Sequence, residues 1–342
     1  MGAIVCFGEV MLRLSPPGYL RLNQTDNLEM TFGGAEANVS VSLANYGMEA
    51  RYVTRLPDNP ITAAFEQQMR GFGVDVSHIV RGGDRMGVYF VEKGASMRPS
   101  KVVYDRKFSS ISTAGPGDID WDSVFDGAVW FHWTGITPAL SDSAAALTLE
   151  ACRAARAKGL TISCDLNYRK KLWSREKAKE VMSELVKYVD VMIANEEDSK
   201  DVFGIEAEGT DVETGKLSET GYRDLARKLA ATFGARKVAF TLRESFSAND
   251  NNWSALLYDA AGDTAIRSRQ YAIHIVDRVG GGDSFGGGLI YSLLNGYSDE
   301  EAINFAAAAS ALKHTIEGDF NRVSLDEVRS LMGGSASGRV QR

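Results

Sequence analysis

The chain has 342 residues, 44% of them hydrophobic and 24% charged, a balance that suits a soluble globular protein of one large α/β domain or two ordinary ones. Its formal net charge of -7 argues against nucleic-acid binding through a basic surface, so an anionic ligand would need a local cluster of cations or backbone N–H groups. No apolar run approaches the ~20 residues of a membrane helix, and "MGAIVCFGEV" lacks the basic region of a signal peptide.

In chain order, "AIVCFG" (3–8) is a short apolar run ending in glycine, a buried strand. Next come "RYVTRL" (51–56) and "MGVYFVE" (86–92), which alternate like half-exposed strands. "AVWFHW", "LTISCD", "DVMIAN", "KVAFTL" and "YAIHIV" read as further strands. The segment "SDSAAALTLEACRAARAKG" opens on a Ser/Asp cap and stops at Gly159, so it reads as a helix. Helical patterns recur in "REKAKEVMSELVKY", "YRDLARKLAATFG" and "DEEAINFAAAASALKH". This alternation predicts a doubly wound, mostly parallel sheet with helices on both faces. Ligands of such sheets bind beyond the carboxyl ends of the strands, which directs attention to Asp165, Asn195, Thr241 and Asp277.

Two segments, about 11–32 and 86–112, have strand patterns without an amphipathic helix and are expected to form a small antiparallel β lid. One domain over 1–332 is expected, with an insertion loop at 206–220, a hairpin tip at 246–252 and a disordered tail at 333–342. Cys6, Cys152 and Cys164 are far apart, form no CxxC and lie in apolar stretches, so buried reduced thiols and a cytoplasmic location are expected.

"IVDRVGGGDSFGGGLIYSLLNG" (275–296) carries six glycines within residues 280–288, between a strand and a helix. Glycine weakens both elements. A glycine turn at a helix start, however, presents bare N–H groups and the positive end of the helix dipole to an anion. Neither GxxxxGK[ST] nor GxGxxG occurs, which disfavours a P-loop and a dinucleotide-dependent dehydrogenase. Asp283 is open to two readings: a helix N-cap, or a general base that takes a hydroxyl proton during phosphoryl transfer. In the second reading Gly280, Gly281 and Gly282 supply donors to the transferring phosphoryl group. A second signature, "TFGGAEANVSVSLANYG" (31–47), places two glycines before a helix that starts near Glu36 and ends at Gly47.

Together "GGAEAN" (33–38) and "DRVGGGD" (277–283) resemble the paired signatures of the ribokinase family of sugar kinases, a "GG…N" segment and a "D-T-x-G-A-G-D" segment. The second departs from the pattern by Arg278 for Thr and Gly281 for Ala. The resemblance runs from Ile4 to about Leu331 and implies a ribokinase-like fold with a β lid over the sugar, and ATP and Mg²⁺ as cofactors. Within the family the chain looks most like the branch that phosphorylates the 6-hydroxyl of 2-keto-3-deoxygluconate, through "GEVMLRLSPPG", "KGASMRPSKVVYDR", "DLNYRKKLW" and "TLRES".

A sugar acid requires a cationic clamp, for which the Arg fork is well shaped. By resemblance, Tyr89, Tyr104, Arg106 and Arg169 line the sugar-acid site with Gly33, Gly34 and Asn38, and Asp319 contacts sugar hydroxyls. Read alone, each Arg also fits a surface ion pair, and each Tyr fits lid packing. The resemblance further implies ATP contacts at Asn195, Thr241, Arg243, Gly280, Gly282 and Ala307. It implies Mg²⁺ held through water by Asn195 and Asp198, where the family pattern N-x-x-E ends in Glu. A kinase for fructose or ribose and a non-catalytic nucleotide- or sugar-binding protein are the competing readings. The partners expected are a small sugar acid and ATP, with no nucleic acid and no membrane. Oligomeric state is left open, with the lid as the surface through which a second copy would pair.

Overall fold

The computed structural model describes residues 2–195, 197–205 and 219–334. Nearly all of the expected insertion loop, Glu196 and the tail from 335 onward lie outside the described residues.

A nine-stranded sheet forms the centre. From one edge its strands run Ala50–Val53, Ala3–Phe7, Ala128–Thr134, Thr161–Asp165, Val191–Asn195 and Lys237–Ser245, all mutually parallel. Asp250–Asp259 then pairs antiparallel with Lys237–Ser245, and Thr264–Arg267 and Tyr271–His274 both pair with Asp250–Asp259. The parallel strands are largely apolar in their buried parts because helices cover both faces. Ala3–Phe7, for example, is buried at all five positions.

One face carries Asp142–Ala157, Arg175–Leu185 and Glu219–Phe233, whose apolar sides join a core around Trp133, Leu147, Met182, Leu225 and Phe240. The other carries Ala35–Asn45, Pro60–Gly71, Gly281–Leu294 and Asp299–Lys313, packed around Tyr52, Phe65, Phe285 and Phe305. The caps read from sequence hold: Ser141 Oγ accepts from Ala144 N–H at the start of Asp142–Ala157, and Gly159 turns left-handed after its end at φ 76.

The lid is a separate four-stranded sheet in the order Glu29–Gly33, Met11–Ser15, Gly87–Glu92, Lys101–Asp105. Its position agrees with the sequence, but its pairing is mixed rather than purely antiparallel. The outer pairings are antiparallel, whereas Met11–Ser15 and Gly87–Glu92 are parallel because the chain passes through the main sheet between them.

Several elements escaped sequence reading, the following three among them. Pro60–Gly71 starts on Asn59, whose side chain accepts from Thr62 N–H, with Pro at the first turn; the Asn-Pro pair was a usable signal. Leu325–Met332 begins with a Ser324/Glu327 capping box, also visible in sequence. The strand Asp250–Asp259 opens on "DNN", a turn-like composition that took the expected hairpin tip too far; the tip is confined to residues 246–249.

Gly286 to Gly288 allow close helix packing. A Cβ on Gly287 would stand 2.7 Å from Ser42 Cβ of Ala35–Asn45, and one on Gly288 would stand 3.0 Å from Ala306 Cα of Asp299–Lys313. Gly286 has ordinary clearance, 3.6 Å to Ile193 Cδ1. Gly287→Ala is therefore expected to cost about 1–3 kcal/mol through overpacking. Gly286→Ala should be neutral or gain up to about 1 kcal/mol from helix propensity. Urea unfolding of the two variants checks this, and equal effects would contradict the packing assignment.

Candidate active site

A cleft of about 370 Å³ lies at the carboxyl ends of the parallel strands, roofed by the lid. Asp165, Asn195 and Thr241 reach it from consecutive strands, and Asp277 to Gly280 enter it ahead of the helix Gly281–Leu294, followed by Gly282 and Asp283 of its first turn.

That helix starts on Gly280, left-handed at φ 84, and no side chain caps it. Of the leading N–H groups, that of Gly281 makes a long bond to the Arg278 carbonyl at 3.4 Å, and those of Gly280 and Gly282 remain available at the cleft. A Cβ on Gly280 would collide with the Asp319 carbonyl oxygen, and one on Gly281 would run into the His314 ring. Glycine at 281, where the family pattern has alanine, is thus matched to His314. Gly282 differs, since its missing Cβ would meet nothing within 4 Å and the space opens to the cleft.

Asp283 does not cap its helix. Its Oδ2 accepts from Asn38 Nδ2 at 2.7 Å, across 245 residues of sequence. Asn38 is oriented in turn by Gly34 N–H, which donates to its Oδ1 at 3.4 Å. The two glycine signatures thus meet through one hydrogen bond. Burial, with Asp319 nearby, pushes the Asp283 carboxyl up to about 6; the Asn38 hydrogen bond, Arg169 and Lys313 oppose the rise.

Gly33 and Gly34 have steric reasons to be glycine. A Cβ on Gly33 would strike the Asp319 carboxylate and lie 2.6 Å from Tyr89 Oη, and one on Gly34 would strike the Glu9 carbonyl. Beneath them is a buried network absent from the sequence reading. Arg13 Nη1 donates to Asp319 Oδ1 and Arg13 Nη2 to Asp277 Oδ2, both at 2.6 Å. Tyr89 Oη donates to Asp319 Oδ2 at 2.5 Å. Asp319 is therefore a buried anchor between the lid and the floor as well as a cleft residue, not a solvated loop carboxylate. Tyr89 stacks on Tyr104 with centroids 6.1 Å apart.

Arg106 lines the cleft but is ion-paired: its Nη2 donates to the buried Glu9 carboxylate, which also accepts from Ser109 Oγ at 2.5 Å. The Arg106 Nε is left without a partner. Arg169 has no ion pair among the described residues; its Nη1 donates to the Tyr168 carbonyl at 3.0 Å, and its charge acts on Asp165, Asp198 and Asp283. Arg278 and Arg243 also face the cleft. Arg278 donates to the Ala248 carbonyl at 3.1 Å, and burial beside Arg243 brings its guanidinium down to about 10.

Asp198 uses both carboxylate oxygens on backbone N–H groups, Tyr168 at 3.0 Å and Asn195 at 3.1 Å. Asn195 Oδ1 accepts from Glu197 and Asp198 N–H. Among the described residues no cluster of three His, Cys, Asp or Glu side chains is arranged to hold a metal directly. The donor set nevertheless fits a hydrated cation. Burial, with Asp198 and Asp283 nearby, holds the Asp165 carboxyl well above the usual range, a concentration of negative charge that a divalent ion would relieve. Sequence reasoning noticed Asp165 as a strand end and gave it no role.

Two nucleotide expectations need correction. Thr241 and Arg243 both line the cleft, but they lie within a strand that continues to Ser245, because residues beyond Leu242 pair with Asn251 to Ser254. Ala307 is fully buried in the core below Gly281–Leu294 and is not a lining residue. An Ala-rich helix is what close packing against the 286–288 glycines requires. Cys6, Cys152 and Cys164 are free and buried. No helix among the described residues is long and apolar enough to cross a membrane.

The profile of the pfkB family carbohydrate kinases matches residues 1–322. The chain is 36% identical over 336 residues to a 2-dehydro-3-deoxygalactonokinase of Haloferax volcanii, covering 97% of this chain and 98% of that protein. It is 30% identical over 327 residues to a 2-dehydro-3-deoxygluconokinase of Thermoproteus tenax, covering 93% and 90%. Among solved structures it matches the 2-dehydro-3-deoxygluconokinase of Thermotoga maritima at 48% identity with a TM-score of 0.94, covering 98% of this chain and all of the other.

Proposed function

The chain belongs to the pfkB family of carbohydrate kinases, and from that premise we propose that it transfers the γ-phosphoryl group of ATP to the 6-hydroxyl of 2-keto-3-deoxygluconate, which is 2-dehydro-3-deoxygluconate. The observation that carries the chemistry is the Asn38–Asp283 hydrogen bond. It fixes a carboxylate at an uncapped helix start, beside the N–H groups that would receive a phosphoryl group. As the bond from the 6-oxygen to phosphorus forms, the γ-phosphorus separates from the β,γ-bridging oxygen. The hydroxyl proton passes to Asp283, and ADP and the 6-phosphate remain.

Gly280 to Gly282 give the phosphoryl oxygens backbone donors, and Thr241 and Arg243 lie where the nucleotide phosphates approach. Bound Mg²⁺ supplies charge neutralisation at those oxygens; Asn195, Asp198 and Asp165 are the residues that would hold it through water. Arg169, without an ion pair among the described residues, takes the substrate carboxylate with Arg106 beside it; Tyr89 and Tyr104 of the lid flank the sugar, with Asp319 and the Gly33–Gly34 turn at its edge. The lid excludes water, which limits ATP hydrolysis. Buried free thiols suit a cytoplasmic setting. The exposed Met30 and Val103 of the lid suit pairing with a second copy.

The Haloferax relative supports a second reading, in which the acceptor is the galactonate epimer. Coupled measurement of ADP formation across both keto-deoxy acids, fructose and ribose tests the assignment. The acids are expected to exceed the neutral sugars by about 10²-fold or more in kcat/KM, the worth of a charged contact. Turnover of fructose or ribose equal to that of the acids would sink it.

A further inference from the structure

Lys313 closes the helix Asp299–Lys313 and is fully buried. Its Nζ donates to the Ile316 carbonyl at 3.2 Å, and no carboxylate lies within ion-pair distance among the described residues. An ammonium in such a place is costly and calls for a counter-charge nearby. The lysine lies directly under the phosphate turn, since a Cβ on Gly280 would stand 3.2 Å from Lys313 Cε. The backbone closes around it. Val276 N–H donates to the His314 carbonyl at 2.8 Å, and Gly318 N–H donates to Asp277 Oδ2 at 3.1 Å. The adjoining network sets two carboxylates, Asp277 and Asp319, against the single guanidinium of Arg13 beneath the turn. Burial, with Arg13 nearby, brings the Lys313 ammonium below its ordinary value, while Asp277, Asp319 and Asp283 oppose that fall and favour the charged form.

We propose that Lys313 is a positioning residue of the phosphoryl-transfer site: its buried ammonium is an internal counter-ion that holds the Gly280–Gly282 turn and offsets the negative charge arriving there with the phosphoryl group. The proposal deepens the kinase reading above and rests on it. A side-chain ammonium has the charge of a small monovalent cation and a similar size. A chain that carries its own cation under the turn needs none from solution.

The test begins with the wild type in sodium, potassium, ammonium and tetramethylammonium chlorides at equal ionic strength, with ATP and Mg²⁺. Turnover of the keto acid is expected to agree within about twofold; strong activation by potassium would overturn the proposal. Lys313→Met, which keeps the volume and removes the charge, is expected to lower kcat by about 10–100-fold while the KM of the keto acid holds, the scale of one lost charge-stabilising contact. Lys313→Ala should regain part of that loss with ammonium or potassium and none with tetramethylammonium. A Met variant with wild-type kcat, or an Ala variant that no small cation rescues, reduces Lys313 to packing. If neither variant turns over, the melting temperature of Lys313→Ala is compared in ammonium and tetramethylammonium. A rise specific to ammonium supports the internal cation, and its absence overturns it. Melting needs no acceptor, so this arm holds even if the keto acid proves to be the wrong substrate.

Discussion

Asp283→Asn is expected to lower kcat by about 10²–10⁴-fold, the usual contribution of a general base, while leaving ATP binding and the fold in place. Asparagine preserves the carbonyl oxygen that accepts from Asn38 at 2.7 Å, so the helix start keeps its link to the other glycine turn and loses only its proton acceptor. In the wild type, kcat/KM should rise with pH through about 6 and level off above, because the base must be ionised. Stability should follow the opposite slope. A carboxyl raised in the folded state disfavours its own ionisation there, so the wild type loses stability as pH climbs from the unfolded value near 4 towards about 6. The Asn variant lacks that loss, and thermal melts should show it equal to or above the wild type at pH 8 and the two converging in acid. Near-normal turnover of Asp283→Asn, with the acid limb at pH 6 retained, would remove Asp283 from the role.

The two glycine signatures were legible because their constraint is local and extreme. A turn that admits no Cβ shows as Gly in any sequence, and Asn38 and Asp283 stand in the first turn of the helix that follows each. The strand and helix alternation was legible for the same reason, since strands covered on both faces must be apolar throughout. What escaped was long-range polar partnership. Arg13 meets Asp277 and Asp319 across 264 and 306 residues, and nothing local marks it as different from any other arginine on a lid strand. Asp319 was assigned to sugar contacts, whereas two of its hydrogen bonds are internal, from Arg13 and Tyr89. The same blindness explains Ala307. Alanine spacing reports close packing, but only the register of the 286–288 glycines tells which helix it packs against.

In the proposed reading, buried charge rather than a count of arginines would therefore decide how the acid end of the substrate is held. Four arginines face the cleft, Arg106, Arg169, Arg243 and Arg278, and they differ in what already neutralises them. Arg106 has Glu9, whereas among the described residues no ion pair holds Arg169. A cation whose charge is already matched adds less to an incoming carboxylate, though its unpartnered Nε can still donate. In the proposed reading Arg169 would be the principal clamp, and Arg106 would contribute geometry together with the fixed position of Glu9.

That division makes Arg106→Ala a variant with two separable effects. Glu9 and Arg106 are both buried, and removing the guanidinium leaves the Glu9 carboxylate with Ser109 as its remaining side-chain partner. The expected cost is about 3–5 kcal/mol of stability, the scale for an uncompensated buried charge. The KM for the keto acid should rise by about 10-fold or more through the lost charged contact, with little change for a neutral sugar. The double variant Glu9→Gln with Arg106→Met separates the two effects, since replacing both charges relieves the desolvation problem without restoring a donor. It is expected to recover most of the stability and none of the acid preference. Denaturant melts and keto-acid kinetics on the wild type, Arg106→Ala and the double variant complete the comparison. If the double variant regains acid affinity along with stability, Arg106 serves only to neutralise Glu9, and recognition of the carboxylate passes to Arg169.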